Sequence, residues 1–200
     1  MSQRAASAAV LCAGRLYCDL VFTGVPALPT MGTETFSDGL SVHAGGGAFI
    51  TAATLSALGH PASLFATLPA APFDTVVADQ IAAAQVDLSQ CRPAARGAAP
   101  QLTVAIAGAE DRAFLSHKSG AALPTTAFPG DAYAHLHVGE LRTLIEHPDL
   151  IAAARRSGMT LSTDCGYDDA LLANGSDMRD LLSQVDVFLP NESEFAQLRQ

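Results

Sequence analysis

The chain has 200 residues, 49% of them hydrophobic and 16% charged, enough for one large domain with a full core. With no Trp and only 6% aromatic residues, that core must be built from Ala, Leu and Val. A formal charge of −9 argues against nucleic acid as a partner and disfavours an anionic membrane surface, but not ATP, which is read by local backbone amides and a metal.

Arg4 and the run from Ala5 to Gly14 have the outline of a signal peptide. The run is short, Ala-rich and closed by Arg15, so Ala8–Gly14 reads better as a buried strand. Leu16–Phe22 is a second extended piece with Asp19 inside it, and Pro26 and Pro29 then break the chain. Thr33–Phe36 and Leu40–His43 alternate around Ser37-Asp38-Gly39, which predicts a hairpin. Gly45-Gly46-Gly47 leads into a helix with apolar Phe49, Ile50, Ala53, Leu55 and Leu58, expected to be buried nearly all round and ended by Gly59.

Ala62–Leu68 is the next strand, and Asp74–Val86 an amphipathic helix with Val76, Val77, Ile81 and Ala84 inward. Arg92–Pro100 is a loop. Leu102–Ala107 and Arg112–His117 flank Gly108-Ala109-Glu110-Asp111 as a second hairpin. A strand at His135–Val138 runs into Gly139-Glu140, a helix covers Asp149–Ser157, and a strand at Met159–Thr163 ends at Asp164. Asp168–Val185 is helix broken near Asn174-Gly175, Val187–Leu189 the last strand, and Glu192 starts the last helix. Alternating strands and helices predict an α/β fold, a mostly parallel sheet with helices on both faces. The two hairpins fall outside that alternation and form a small β-layer over one edge, a candidate lid.

Cys12, Cys18, Cys91 and Cys165 make no C-x-x-C pair, so reduced thiols in a cytoplasmic protein are expected. No apolar run reaches the length of a membrane span.

Several residues carry two readings. The three glycines suit a ligand loop as well as a tight turn. Asp19 suits a polyol, because one carboxylate accepts from two hydroxyls, or a solvent-facing edge strand. Glu140 and Asp164 follow strands at the carboxyl edge, where ligands collect, but helix caps also sit there. Asn191 and Glu194 have the spacing of a capping box. His135 and His137 share a strand face without an evident third ligand, which favours packing over a metal.

In order, the stretches Gly14–Val21, His43–Ala48 with Leu55–Gly59, His137–Glu140, Leu161–Asp164 and Pro190–Glu194 together resemble the ribokinase-like, or PfkB, family of carbohydrate kinases. The resemblance covers about the first two-thirds of a family member. It implies a ribokinase-like α/β domain over residues 1–200, with lid segments near 16–43 and 100–118, that moves the γ-phosphate of ATP to a sugar hydroxyl with Mg²⁺. The implied substrate-binding set is Asp19, Gly46, Gly47, Ile50, Thr103 and Glu140. Asp164, Asn191 and Glu194 are the implied phosphate and magnesium positions, Glu194 acting through water. Pairing between lids implies a homodimer.

Two departures qualify the resemblance. Ile50 stands where the family places an Asn amide on the sugar. No Gly-x-Gly-Asp segment occurs, so the general base is expected beyond Gln200 and these residues alone are not expected to turn over. The alternatives are a non-catalytic sugar- or nucleoside-binding protein and a nucleoside kinase of the same superfamily. The missing cover is also expected to leave a sheet edge exposed.

Overall fold

The apolar run at the start folds as strand β1 (Val10–Ala13), which becomes the second strand of a five-stranded sheet. A computed structural model of the chain describes residues 9–108, 111–173 and 175–199. The signal-like Arg4–Ala8, the hairpin-turn residues Ala109 and Glu110, and the expected helix break at Asn174 lie outside the described residues.

The sheet order is β4 (Ala62–Phe65), β1, β7 (His135–Val138), β8 (Thr160–Asp164) and β9 (Val187–Leu189), and every pairing is parallel. Between the strands run α1 (Gly47–Ala57), α2 (Phe73–Ala83), α3 (Leu141–Glu146), α4 (Asp149–Arg156), α5 (Asp169–Leu172) and α6 (Gly175–Leu182), with α7 (Glu192–Leu198) last. Successive residues of β1 serve opposite cores. Leu11 and Ala13 pack with Leu136, Leu144, Ile151 and Leu161, whereas Cys12 packs with Ala52, Leu64, Val77 and Ile81. A strand buried on both faces reads as an unbroken apolar run, which is why β1 was legible. All four cysteines are free and buried. No helix among the described residues is long and apolar enough to cross a membrane.

A second, mixed sheet has the order β3 (Gly39–Gly45), β2 (Tyr17–Thr23), β5 (Leu102–Ala107) and β6 (Arg112–His117). The expected 102–117 hairpin is present as the β5–β6 pair. The expected hairpin around Ser37-Asp38-Gly39 is not, because β3 pairs antiparallel with β2 across residues 24–38. The pairing partner is chosen by side chains. In the β2–β3 register Cys18 meets Ala44, Leu20 meets Val42 and Phe22 meets Leu40, so one face is apolar along its length. Thr33–Phe36 offers no such face, and Phe36 is 76% exposed.

Helix α1 also departs from expectation. Ala48, Phe49 and Ala52 are buried, but Ile50 is 53% exposed, so one side of the helix faces outward. In α2, Val77 and Ile81 form the buried stripe at i, i+4 spacing and Val76 turns away. The strand expected over 62–68 stops at Phe65, and Leu68 N–H instead donates to the Arg92 carbonyl at 2.8 Å. The short α3 was not foreseen, since six residues carry too little periodicity to register.

Candidate functional site

The carboxyl ends of β1 and β7 meet the start of α1 through glycines. Gly46 is the N-cap of α1 at φ +97°, and a Cβ there would overlap the Arg15 carbonyl oxygen. A Cβ on Gly47 would overlap the Gly139 carbonyl oxygen, and one on Gly139 the Ala48 nitrogen. Backbone therefore lies directly on backbone, and only hydrogen fits between. The tight-turn reading of these glycines is thus realised, and the turn is what gathers the site.

Asp19 sits over that turn. A Cβ on Gly45 would fall on the Asp19 carboxylate. In register across the mixed sheet, Asp19 stands between His43 and Thr103, and Thr103 opposite Ser116. Burial raises the Asp19 carboxyl above the ordinary range, while the Thr103 hydroxyl and His43 pull it down. Thr103 and Ser116 share a hydrogen bond of 3.0 Å. Asp19 is only half-buried, so beside its Thr103 contact the carboxylate of the polar row His43–Asp19–Thr103–Ser116 stays open to hydroxyl donors.

Glu140 occupies the N-cap position of α3, but its side chain makes no capping bond. Its Oε1 accepts from Thr143 Oγ1 at 3.1 Å and lies 3.5 Å from Arg15 Nε. Burial raises its carboxyl, Thr143 and Arg15 oppose this, and Glu146 adds to it. Two nearby residues escaped sequence reading. Tyr17 shares the Asp19 face of β2, is buried, and has its phenol raised by burial first and Glu140 second. Arg15 is buried among Glu140, Glu146 and Gln101. The available signal was an arginine directly after an apolar strand, which looks like any solvent-facing flank.

A second cluster forms at the ends of β8 and β9. The capping box is complete: Asn191 Oδ1 accepts from Glu194 N at 2.9 Å, and Glu194 Oε2 accepts from Asn191 N at 2.8 Å. Glu194 is buried beside Asp164 and Cys165. Burial raises the Asp164 carboxyl, the Cys165 N–H lowers it, and Glu194 raises it again. Asp164 caps no helix, since α5 is capped by Asp168, whose carboxylate accepts from Leu171 N. The Cys165 thiol is pushed to about 12, by burial first. Asp164 and Glu194 are neighbouring carboxylates, an arrangement a hydrated cation would relieve. Among the described residues no group of three or more His, Cys, Asp or Glu could hold a metal directly.

The histidine pair is structural. His137 Nδ1 and His135 Nε2 both bond Ser162 Oγ, at 2.9 and 2.7 Å, while His137 Nε2 meets Thr51 at 3.2 Å and His135 Nδ1 meets Thr160 at 2.7 Å. Every ring nitrogen is used. Burial lowers His137 from 6.5 to about 4, with His135 adding to the effect. The unfolded chain therefore takes up this proton near pH 6.5, and the folded chain only near pH 4. Stability present above pH 6.5 is expected to drain as the pH falls toward 4, by about 3 kcal/mol. The raised carboxyls of Asp19, Glu140 and Asp164 act with the opposite sign. Urea denaturation at pH 7 and pH 4.5, wild type against His137→Gln, isolates the histidine, and equal slopes in both would contradict it.

A cavity of about 280 Å³ lies apart from Asp19 and Glu140, lined by Thr67, Arg92, Ala98, Gln101, Gly120 and Pro124 among others.

A family model described as pfkB family carbohydrate kinase matches residues 37–200. No curated protein sequence matches the chain. Among solved structures, a ribokinase from Cryptococcus neoformans in complex with ADP superposes with TM-score 0.70 at 20% identity, covering 96% of this chain and 59% of that one. Arabidopsis thaliana ribokinase complexed with ribose and ATP gives 0.72 at 17% identity, covering 96% and 62%. A nucleoside kinase from Methanocaldococcus jannaschii gives 0.71 at 15% identity, covering 96% and 63%. The chain thus spans about three-fifths of the length of these structures, with which it shares its fold.

Proposed function

The chain belongs to the pfkB family of carbohydrate kinases, and we propose that it carries the acceptor side of an ATP-dependent kinase acting on a sugar or sugar-like hydroxyl. The observation that carries this reading is the half-buried Asp19 carboxylate, held over Gly45 at the start of α1 with Thr103 beside it. Asp19 accepts hydroxyls from the acceptor, Gly46 and Gly47 bring backbone close to it, and Glu140 and Tyr17 close the far side. Ile50, half-exposed in the first turn of α1, offers an apolar contact instead of an amide. That favours an acceptor with an apolar face and keeps a nucleoside within the reading.

The mixed sheet acts as the lid, excluding water that would compete for the phosphoryl group. ATP is the donor. Asp164, Asn191 and Glu194 would hold magnesium through water, and a bound magnesium ion neutralises phosphate charge during transfer. With no Gly-x-Gly-Asp segment in the sequence, the general base is assigned to none of these residues, and the 200 residues are proposed to bind acceptor without turnover. The same reading places the protein in the cytoplasm, where ATP is available.

The test is by NMR. The amides of Gly46, Gly47 and Thr103 are expected to shift as fructose, ribose or adenosine saturates the chain. Shifts confined to the cavity around Arg92 and Pro124 would contradict the proposal.

We further propose that lids pair between subunits. Support comes from Leu115 at 74% exposure together with exposed Leu40, which the register places on the same face of the mixed sheet. Sedimentation is expected to show a dimer that Leu115→Glu converts to monomer; a monomeric wild type at micromolar concentration would contradict this.

A further inference from the structure

The β5–β6 arm of the lid joins the core through two stems, while residues 14–16 and Gly46 tie β2 and β3 to it. Gln101 stands immediately before β5, and Lys118, Ser119 and Gly120 follow β6. Both stems converge on Arg15, just past the carboxyl end of β1, whose side chain is 3% exposed. Nη1 donates to Gln101 Oε1 at 2.6 Å, to the Gly120 carbonyl at 2.9 Å and to the Ser119 carbonyl at 3.3 Å. Nη2 donates to Glu146 Oε2 at 2.5 Å, on the last residue of α3. Nε has no hydrogen-bond partner, although it is buried, and faces Glu140 Oε1 at 3.5 Å.

One guanidinium therefore touches both stems and both ends of α3. A lysine could not do this, since its single ammonium cannot reach four groups spread around a planar fork. The chain spends a buried charge here, which is costly unless paired, and two carboxylates provide the pairing. A weaker link, Lys118 Nζ to Asp168 Oδ2 at 3.8 Å, runs from the second stem to the cap of α5. Asp19 rides on the lid and Glu140 on the core. Asp19 is in register with Thr103 of β5, so the stems of the β5–β6 arm help hold the distance between these two carboxylates, together with residues 14–16 and Gly46.

We infer that Arg15 is a positioning residue, which clamps both stems of the β5–β6 arm to the Glu140 segment and so helps set the gap between Asp19 and Glu140. The purpose of that gap rests on the acceptor reading above; the clamp itself does not. The Arg15 Nε–Glu140 contact at 3.5 Å lacks a hydrogen bond, so it is the looser of the two ion pairs that hold the guanidinium.

The test uses the whole chain without ligand, by amide hydrogen exchange, in Arg15→Lys and Gln101→Ala. Exchange in segments 99–103 and 117–122 is expected to rise about tenfold or more in both variants, while 136–138 and 161–163 stay as in wild type. Titration with fructose, ribose and adenosine should then show affinity reduced about tenfold in Arg15→Lys, because the gap is no longer preorganised. Unchanged stem exchange in both variants overturns the clamp. So does a uniform rise across the chain, which would mark ordinary loss of stability. If Arg15→Lys fails to fold, Gln101→Ala alone decides, since it removes a stem contact and leaves the buried ion pairs. A local rise in exchange with unaltered affinity overturns the positioning role. If wild type binds none of the three ligands, the acceptor reading fails, and the exchange result still judges the clamp.

Discussion

Gly47→Ala is expected to cost about 3 kcal/mol or more, lowering the melting temperature by roughly 10 °C. The added methyl would overlap the Gly139 carbonyl oxygen, which is backbone at the end of a central strand and cannot rotate away. Either α1 lifts from the sheet or β7 shifts against β1, and both moves open buried contacts of Ala48, Phe49 and Ala52. Gly139→Ala strikes the same contact from the other side and should cost a similar amount. The double variant should then cost less than the two single costs added, because one displacement relieves both overlaps. Urea denaturation of the three variants checks this, and a cost below about 1 kcal/mol for either single variant would show that the turn is not the rigid seat assigned to it.

Asp19→Ala is expected to weaken acceptor binding by about 100-fold or more while leaving the fold intact. A carboxylate that accepts from two hydroxyls makes two charge-assisted bonds, each worth about 1.5–3 kcal/mol, and every 1.4 kcal/mol is tenfold in affinity. The fold should survive for two reasons. Thr103 keeps its 3.0 Å bond to Ser116, so no buried hydroxyl is orphaned. Removing a carboxylate whose burial raises its proton affinity also removes an unfavourable desolvation. Asp19→Asn separates charge from shape and should fall between wild type and Asp19→Ala.

Strand β1 was readable because it is buried on both sides and therefore continuous in its apolar residues, as in Leu11-Cys12-Ala13, whereas the edge strand β9 keeps Val187 and Leu189 half-exposed. The family resemblance, carried by motifs in order, agrees with the pfkB match over residues 37–200. The misread hairpin shows the limit of local signals. Ser37-Asp38-Gly39 is a good turn, but β3 found its apolar register with β2, a partner that only the fold brings close. Ile50 looked like core because the whole run is apolar, and only packing decides which side of a helix meets the sheet. The spacing of Asn191 and Glu194 revealed the capping box. It could not reveal that the Glu194 carboxylate lies buried beside Asp164. Arg15 was invisible for the opposite reason: a buried arginine has no sequence signature until its partners at Gln101, Gly120 and Glu146, all distant in sequence, are placed around it.

The claim that these residues form an acceptor cleft is tested most directly by isothermal titration of the chain with fructose, ribose, 2-keto-3-deoxygluconate and adenosine, in parallel with Asp19→Ala. Saturable binding of at least one of these ligands, lost in the folded variant, is the predicted result. Binding to none of them, or binding of equal strength in Asp19→Ala, would contradict the account.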